Sequence, residues 1–335
     1  MFYCGIDLSS KTTVLSVIND QDKVLTEREV ATDPDRIVRQ LQAFRQVLCL
    51  VEAAPLAEWC KRSLEARGIE CRIIDTRRAQ KLFESRKKTD LRDARTLARM
   101  ARVQWYNEVH AKSAEARLRR TRLRVRKSLV EMVVSLQNQV RGLLRAHGER
   151  VVSPKGPRFA QTIREQVSGQ PEVLELLEPL LRSWGSTWAE LVAVDKALKR
   201  FARGVPEVKR LMGVPGVGPV VGLAFVATID TPKRFTNASQ VGDYVGLAPG
   251  IYQSGEVERR GRITKEGDRM LRALLVEAAN SILYHYRGTW AWKSWAQRLK
   301  ERKGPAKARV ALARRLAGLL WKLWNEETQF RLKPA

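Results

Sequence analysis

The sequence predicts an α/β domain followed by two largely helical regions. Three observations carry this reading. The first third alternates short apolar runs of strand length with helical stretches. The middle holds two long apolar ladders at helical spacing. The last third reads as helices around glycine turns, closed by a basic, tryptophan-rich tail. The expected boundaries are 1–110, 111–205 and 206–335.

At 335 residues the chain is long enough for two or three domains, and a hydrophobic content of 44% says that most of it folds. It carries 62 Lys and Arg against 36 Asp and Glu, a net charge of +26. The charge is spread along the chain, which points to nucleic acid held on several surfaces. No apolar run approaches bilayer length, and the start, MFYCGIDLSSK, is too short and polar for a signal peptide. A cytoplasmic protein with no membrane partner is expected. Cys4, Cys49, Cys60 and Cys71 have no CxxC or Cys/His ligand spacing, which predicts reduced core thiols rather than a zinc site.

Residues 2–7 (FYCGID) read as a buried strand ending in an acid. Residues 12–18 and 23–31 are a second and third strand, joined by the polar turns LSSK and NDQD. A helix is expected over 33–45, with Asp33 as N-cap and Pro34 in its first position. Residues 47–53 (VLCLVEA) form an apolar strand that again closes on an acid, Glu52. Helix over 55–67, strand over 70–75 and helix over 76–102 follow. Residues 113–147 read as one long helix, with Leu118, Val125 and Met132 seven apart and Leu129, Leu136 and Leu143 offset by four, a coiled-coil seam. Residues 148–171, with SPKGPRF and SGQP, read as a loop. A second ladder runs Val173, Leu177, Leu180, Trp184, Trp188, Leu191, Val194, Leu198, Phe201, so the pair is an antiparallel hairpin or an intertwined dimer arm.

Beyond Pro206, LMGVPGVGPVVGLAFVATI (211–229) matches a helix-hairpin-helix. The turn amides at Gly216 and Gly218 either hold a nucleic-acid phosphate or serve as a plain packed turn. Residues 245–268 read as a glycine-rich loop with a basic end. The tail over 270–330 is helical, its five tryptophans more suited to helix packing than to base stacking.

Asp90 and Asp93, in SRKKTDLRDARTLARM (85–100), are three apart and so share a helix face. Alone, the pair reads as ion pairing on a solvated basic helix. The strand ends change that reading. In a sheet whose first and fourth strands are neighbours, Asp7 and Glu52 converge at one edge, and the helix brings Asp90 and Asp93 over them. Four carboxylates so close repel unless cations sit among them. Hard oxygen donors suit Mg²⁺ or Mn²⁺, and paired ions of this kind cut or join phosphodiesters. Further along, Arg117, Arg119, Arg120, Arg122, Arg124, Arg126 and Lys127 have no acid among them, which favours RNA or DNA contact over a merely solvated face.

The motifs GIDLSSK (5–11), VEA (51–53), KTDLRDARTLA (88–98), GVPGVGP (213–219), VGLAP (245–249), QSG (253–255) and GRITKEGDRMLRALL (261–275) occur in this order over nearly the whole chain. On these the sequence resembles the DEDD-type insertion-sequence transposases, the bridge-RNA-guided recombinases of the insertion-sequence one-ten family. It departs from the family pattern after Glu52 (EAAPLAEW) and at Gly250. The resemblance implies a RuvC-like, RNase H-type domain carrying Asp7, Glu52, Asp90 and Asp93. A helical coiled-coil region and a mainly α-helical C-terminal transposase domain would follow. It also implies a prokaryotic protein, nucleoid-associated when acting, that joins donor and target double-stranded DNA under a structured guide (bridge) RNA, as a homodimer assembling to a tetramer.

Ser254, in GIYQSGEVERRGR, would by spacing alone be a turn residue. The resemblance aligns it with the family nucleophile. Gly255 would admit a phosphate closely, and Arg259, Arg260, Arg262 and Lys265 are candidates to hold it. A serine hydroxyl needs activation, and no histidine is near in sequence. The expectation is therefore that Ser254 works with the acid cluster of its own or a partner subunit, leaving a phosphoserine-linked DNA end. The competing readings are a metal-dependent junction endonuclease in which Ser254 is structural, and an inactive RNA-binding scaffold.

Overall fold

The computed structural model describes the backbone of residues 1–76, 89–149, 156–254 and 257–332, with side chains throughout except at 251–254 and 257–260. The chain divides into two compact units, Met1–Lys112 and Ser113–Ala335.

In the first unit, β1 (Phe2–Leu8), β2 (Thr12–Asn19) and β3 (Val24–Ala31) form an antiparallel meander. Helix α1 (Pro34–Leu41) starts where expected: the Asp33 side chain accepts from the amides of Asp35 and Arg36, and Pro34 opens the helix. β4 (Val47–Glu52), α2 (Ala57–Glu65) and β5 (Glu70–Asp75) follow, then α3 (Asp90–Val103) and the short β6 (Asn107–Glu108). Residues 77–88, the first part of the helix expected over 76–102, lie outside the described residues. The sheet order is β3-β2-β1-β4-β5-β6, with β4 and β5 parallel to β1. This is the RNase H-type arrangement, a mixed sheet with helices on both faces. Strand alternation divides the core. Cys4, Ile6, Val51 and Ile73 pack with α1 and α2, while Tyr3, Leu48, Leu50 and Ile74 pack under α3. All four cysteines are free and buried on the α1/α2 face, and burial pushes the Cys60 thiol up to about 12.

In the second unit, α4 (Ala114–Ala146) and α6 (Pro171–Arg203) are 33-residue helices packed together as a hairpin. Gly185 and Ser186 do not interrupt α6. Residues 148–171 are not all loop: α5 (Phe159–Gln166) forms because Phe159, Ala160 and Ile163 bury one face. The Phe159 ring lies 5.1 Å from that of Trp184. The heptad seam also needs correction. The buried residues of α4 include Leu123, Val133, Val140 and Leu144, whereas Leu118, Val125 and Met132 are 53%, 49% and 55% exposed. Leu129 and Leu136 of the offset row do pack against the core shared with α6, and Leu143 is exposed; a straight helix turns by 3.6 residues, so the face meeting α6 drifts across the seven-residue repeat and the row of Leu118, Val125 and Met132 faces outward.

Helices α7 (Pro206–Leu211), α8 (Pro219–Ile229), α9 (Ala238–Tyr244), α10 (Arg269–Tyr284), α11 (Ala291–Lys303) and α12 (Pro305–Asn325) share one core with Leu123 and Leu198 of the long helices. Trp290 and Trp321 are buried in it, and Trp292, Trp295 and Trp324 pack against it. The stretch read as a glycine-rich loop holds an antiparallel ribbon, β7 (Pro249–Ser254) and β8 (Val257–Ile263).

Candidate active site

The acid end of the first unit is built by one close approach. A Cβ on Gly5 would lie 1.7 Å from the carbonyl oxygen of Ala94 and 2.6 Å from the amide of Ala98. Only glycine lets α3 lie this close on β1. The later turns of α3 pack over Tyr3, Ile18 and Leu48, so its first turn points toward the carboxyl ends of β1 and β4. Strand parity puts Asp7 on the face of Gly5, and Glu52 on that of Leu50. β1 and β4 pair up to Ile6 with Val51, so Asp7 and Glu52 are the next residues at adjoining strand ends.

Asp90 and Asp93 both lie in the first turn of α3, which is capped by Thr89 accepting from the amide of Arg92 at 3.4 Å. Carboxylates there also offset the positive end of the helix dipole. Arg95 holds the helix in place through two 2.8 Å bonds to Glu27, and Arg99 reaches Asp22 at 3.1 Å. The Arg95 hydrogen bonds lower the Glu27 pKa below its ordinary value. Thr76, buried just past β5, donates its hydroxyl hydrogen bond to Oε1 of Glu52.

These donors are all hard oxygens, the chemistry that Mg²⁺ or Mn²⁺ takes. The backbone thus brings the four acids to one end of the sheet. Among the described residues, however, no three His, Cys, Asp or Glu side chains are grouped closely enough to enclose a cation.

The serine lies on the ribbon of the second unit. Ser254 ends β7, with its backbone opposite Val257, while Arg259 and Arg260 face Tyr252 and Ile251. The side chains of these residues, and Gly255 entirely, lie outside the described residues. The ribbon's base is described fully and is closely packed. Gly246 (φ +73) and Gly267 (φ +83) cross there. A Cβ on the first would sit 1.8 Å from Glu266 O, and on the second 2.0 Å from Tyr244 O. Arg272 bridges both legs, donating from Nη1 to Val245 O at 2.9 Å and Glu266 O at 3.0 Å. Arg262 and Lys265, at the foot of β8, are exposed.

The basic face of α4 is less open than its sequence suggests. Arg119 is 7% exposed and ion-paired with both Glu115 and Glu207, so it belongs to the interior. Acids from elsewhere in the chain neutralise part of this face, Asp268 holding Arg120 at 2.8 Å and Asp195 pairing with Arg126, while Glu131, one turn on in α4 itself, pairs with Lys127. Arg122 stacks over Phe201 at 4.6 Å. Arg117 is half-buried, and Arg124 is exposed. Gly216 (φ +77) is required by packing, since a Cβ would meet Ala278 O at 2.6 Å; Gly218 has open space.

Sequence reasoning missed three features. Thr76 and Arg272 become visible only through their tertiary partners. Lys196, Lys199, Arg200 and Arg203 were legible as an i, i+3, i+4, i+7 stripe on α6; all four are exposed and unpaired with acids among the described residues.

Two family models match the chain. One describes a DEDD transposase of IS110 type over residues 4–148, and the other the transposase IS116/IS110/IS902 family over 208–296. A "Probable family 20 transposase" of Pseudomonas aeruginosa is 29% identical over 337 residues, covering 98% of each chain. The transposase for insertion sequence element IS1111A of Coxiella burnetii is 27% identical over 335 residues, covering 98% of this chain and 90% of that one. Thermus thermophilus RuvC aligns in structure with 16% identity and a TM-score of 0.27, over 32% of this chain and all of that one. With the acid-bearing sheet and the serine ribbon falling inside the two matched regions, the chain belongs to the IS116/IS110/IS902 family of transposases, enzymes that cleave and rejoin DNA.

Proposed function

We propose that the chain is the RNA-guided DNA recombinase of an insertion sequence. A structured bridge RNA selects donor and target DNA by base pairing, and strands are exchanged through a phosphoserine bond at Ser254. The observation that supports this most is the sheet order. With β1 beside β4 and α3 across them, acids far apart in sequence come to one end of a fold suited to phosphodiester chemistry.

In this reading the Ser254 oxygen bonds to the scissile phosphorus as the bond to the deoxyribose oxygen breaks. The serine proton is lost and the leaving oxygen gains one. One phosphodiester replaces another, so rejoining needs no ATP. Mg²⁺ or Mn²⁺ held by Asp7, Glu52, Asp90 and Asp93 would supply Lewis-acid stabilisation of the charge on the phosphate and leaving oxygen. Thr76 fixes the Glu52 carboxylate, and Arg272 fixes the ribbon. Arg259, Arg260, Arg262 and Lys265 hold the phosphodiester beside Ser254. Exchange of two DNAs requires four strand cuts, hence several copies. The exposed Leu118, Val125 and Met132 stripe offers a dimer contact from which a tetramer is assembled.

The test is to incubate protein, bridge RNA and both DNAs with Mg²⁺, denature, and look for DNA covalently attached to protein. The wild type forms the adduct. Ser254→Ala and Asp7→Asn bind RNA and DNA normally and form none. Free DNA ends without attached protein would favour the junction-endonuclease reading, and recombination by Ser254→Ala would overturn the serine assignment. Equal binding of cognate and scrambled RNA at moderate salt would remove the guide.

A further inference from the structure

We propose that the corner where α11 ends and α12 begins binds the phosphate backbone of duplex DNA, as a surface separate from the serine ribbon and the α4 face. Arg298, Lys300, Arg302, Lys303 and Lys307 are all exposed there. Glu301 is the one acid in residues 298–307. Among the described residues none of the five cations has an ion-pair partner; Lys300 instead lies over the Tyr284 ring at 4.8 Å. This contrasts with α4, where Arg119, Arg120, Arg126 and Lys127 are each matched by an acid of this chain.

Helix stability accounts for only part of this charge. Lys300, Arg302 and Lys303 close the last turn of α11, where cations offset the negative end of the helix dipole. Lys307 does the opposite. It sits in the first turn of α12, where positive charge is unfavourable, and that turn has neither an acid nor a side-chain cap. Arg298 and Arg302 are like charges one turn apart, which also costs stability. Gly304, at φ +85, folds the chain back so that both helix ends crowd their cations into one corner. Lys307 and the Arg298–Arg302 repulsion work against their own helices, which fits an anionic partner from outside the chain.

The corner's surroundings favour duplex over single-stranded DNA. Single-strand binders stack bases on exposed rings. Here Trp290 is buried, Trp292 and Trp295 pack against the core beneath Arg315, whose guanidinium lies 3.9 Å from the Trp295 centroid, and the one exposed ring at the corner, Tyr284, is covered on one face by Lys300. What remains is a knob of charge, which fits the dense phosphate array of a duplex. DNA is the family's substrate, so duplex flanking the exchange site is the matching partner.

The test is the Arg302→Gln, Lys303→Gln, Lys307→Gln triple variant of the full chain, binding a short random-sequence DNA duplex over a range of salt. If each cation meets one phosphate, the slope of log K against log salt shrinks by about 2.7, and affinity at moderate salt falls about tenfold or more. Thermal unfolding should change little, because the repulsion relieved offsets the dipole stabilisation lost with Arg302 and Lys303. The charge-preserving variant Arg302→Lys, Lys303→Arg, Lys307→Arg should keep the wild-type slope and guards against a folding artefact. An unchanged slope in the Gln variant overturns the proposal. So does a variant that loses a hairpin RNA while keeping its duplex-DNA slope. None of these readouts requires strand cleavage, a guide or a covalent adduct.

Discussion

Gly5→Ala tests whether the seating of α3 on β1 organises the acid end. The new methyl would sit 1.7 Å from Ala94 O, 2.6 Å from Ala98 N and 2.8 Å from Ala94 C. All three are backbone atoms of a buried helix face, so no side chain can swing aside. A comfortable approach is about 3.4 Å, so α3 must back away by roughly 1.7 Å or tilt. Overpacking of this kind costs about 1–3 kcal/mol. The functional effect should be larger, because the first turn of the displaced helix carries Asp90 and Asp93. Misplacing a reacting group by about 1 Å can cost about 100-fold in rate. The expected result is a lower melting temperature and at least a 100-fold loss of Mg²⁺-dependent adduct formation. Duplex-DNA binding by the second unit should stay unchanged. A Gly5→Ala protein that melts and cleaves like wild type would refute the packing argument.

Arg272→Gln removes the bridge between the legs of the ribbon. It should slow adduct formation at saturating DNA while leaving DNA and RNA affinity unchanged, measured as a rate against a binding constant. Thr76→Val releases Glu52 and should raise the Mg²⁺ concentration needed for half-maximal cleavage, whereas Thr76→Ser restores it. Arg119→Ala leaves the half-buried Glu207 without its partner and should cost about 1–3 kcal/mol of stability, seen in denaturant unfolding, without altering the salt slope of RNA binding. Glu27 has its carboxyl pKa lowered, first by the Arg95 hydrogen bonds. Its contribution is therefore present above the ordinary glutamate pKa and is lost as pH falls through that value toward the lowered one. Acid melting of the wild type should show this loss, and Arg95→Gln should flatten it.

Much of the fold was legible because local chemistry wrote it. Apolar runs closed by polar turns marked five strands of the first unit, Asp33 and Pro34 marked the start of α1, and ladder spacing marked α4 and α6. The placing of Asp7 and Glu52 near neighbouring strand ends was inferable because both fall at the ends of apolar strand runs, and the order β2-β1-β4 made those strands neighbours. The ribbon under Ser254 was not legible: glycines and charges over 245–268 hid two short strands whose pairing depends on the Gly246–Gly267 crossing and on Arg272.

Sequence by itself determined the residue types, their helical or strand periods, and the net charge that calls for nucleic acid. Which arginines remain open was decided only in three dimensions. Charge is a property of the residue, but its availability depends on acids brought from distant positions, as Glu207, Asp268 and Asp195 are brought to α4. The same holds for the heptad residues Leu118, Val125 and Met132. Their spacing fixed that they share a stripe, while the 3.6-residue turn of a straight helix packed on α6 decided that the stripe faces outward.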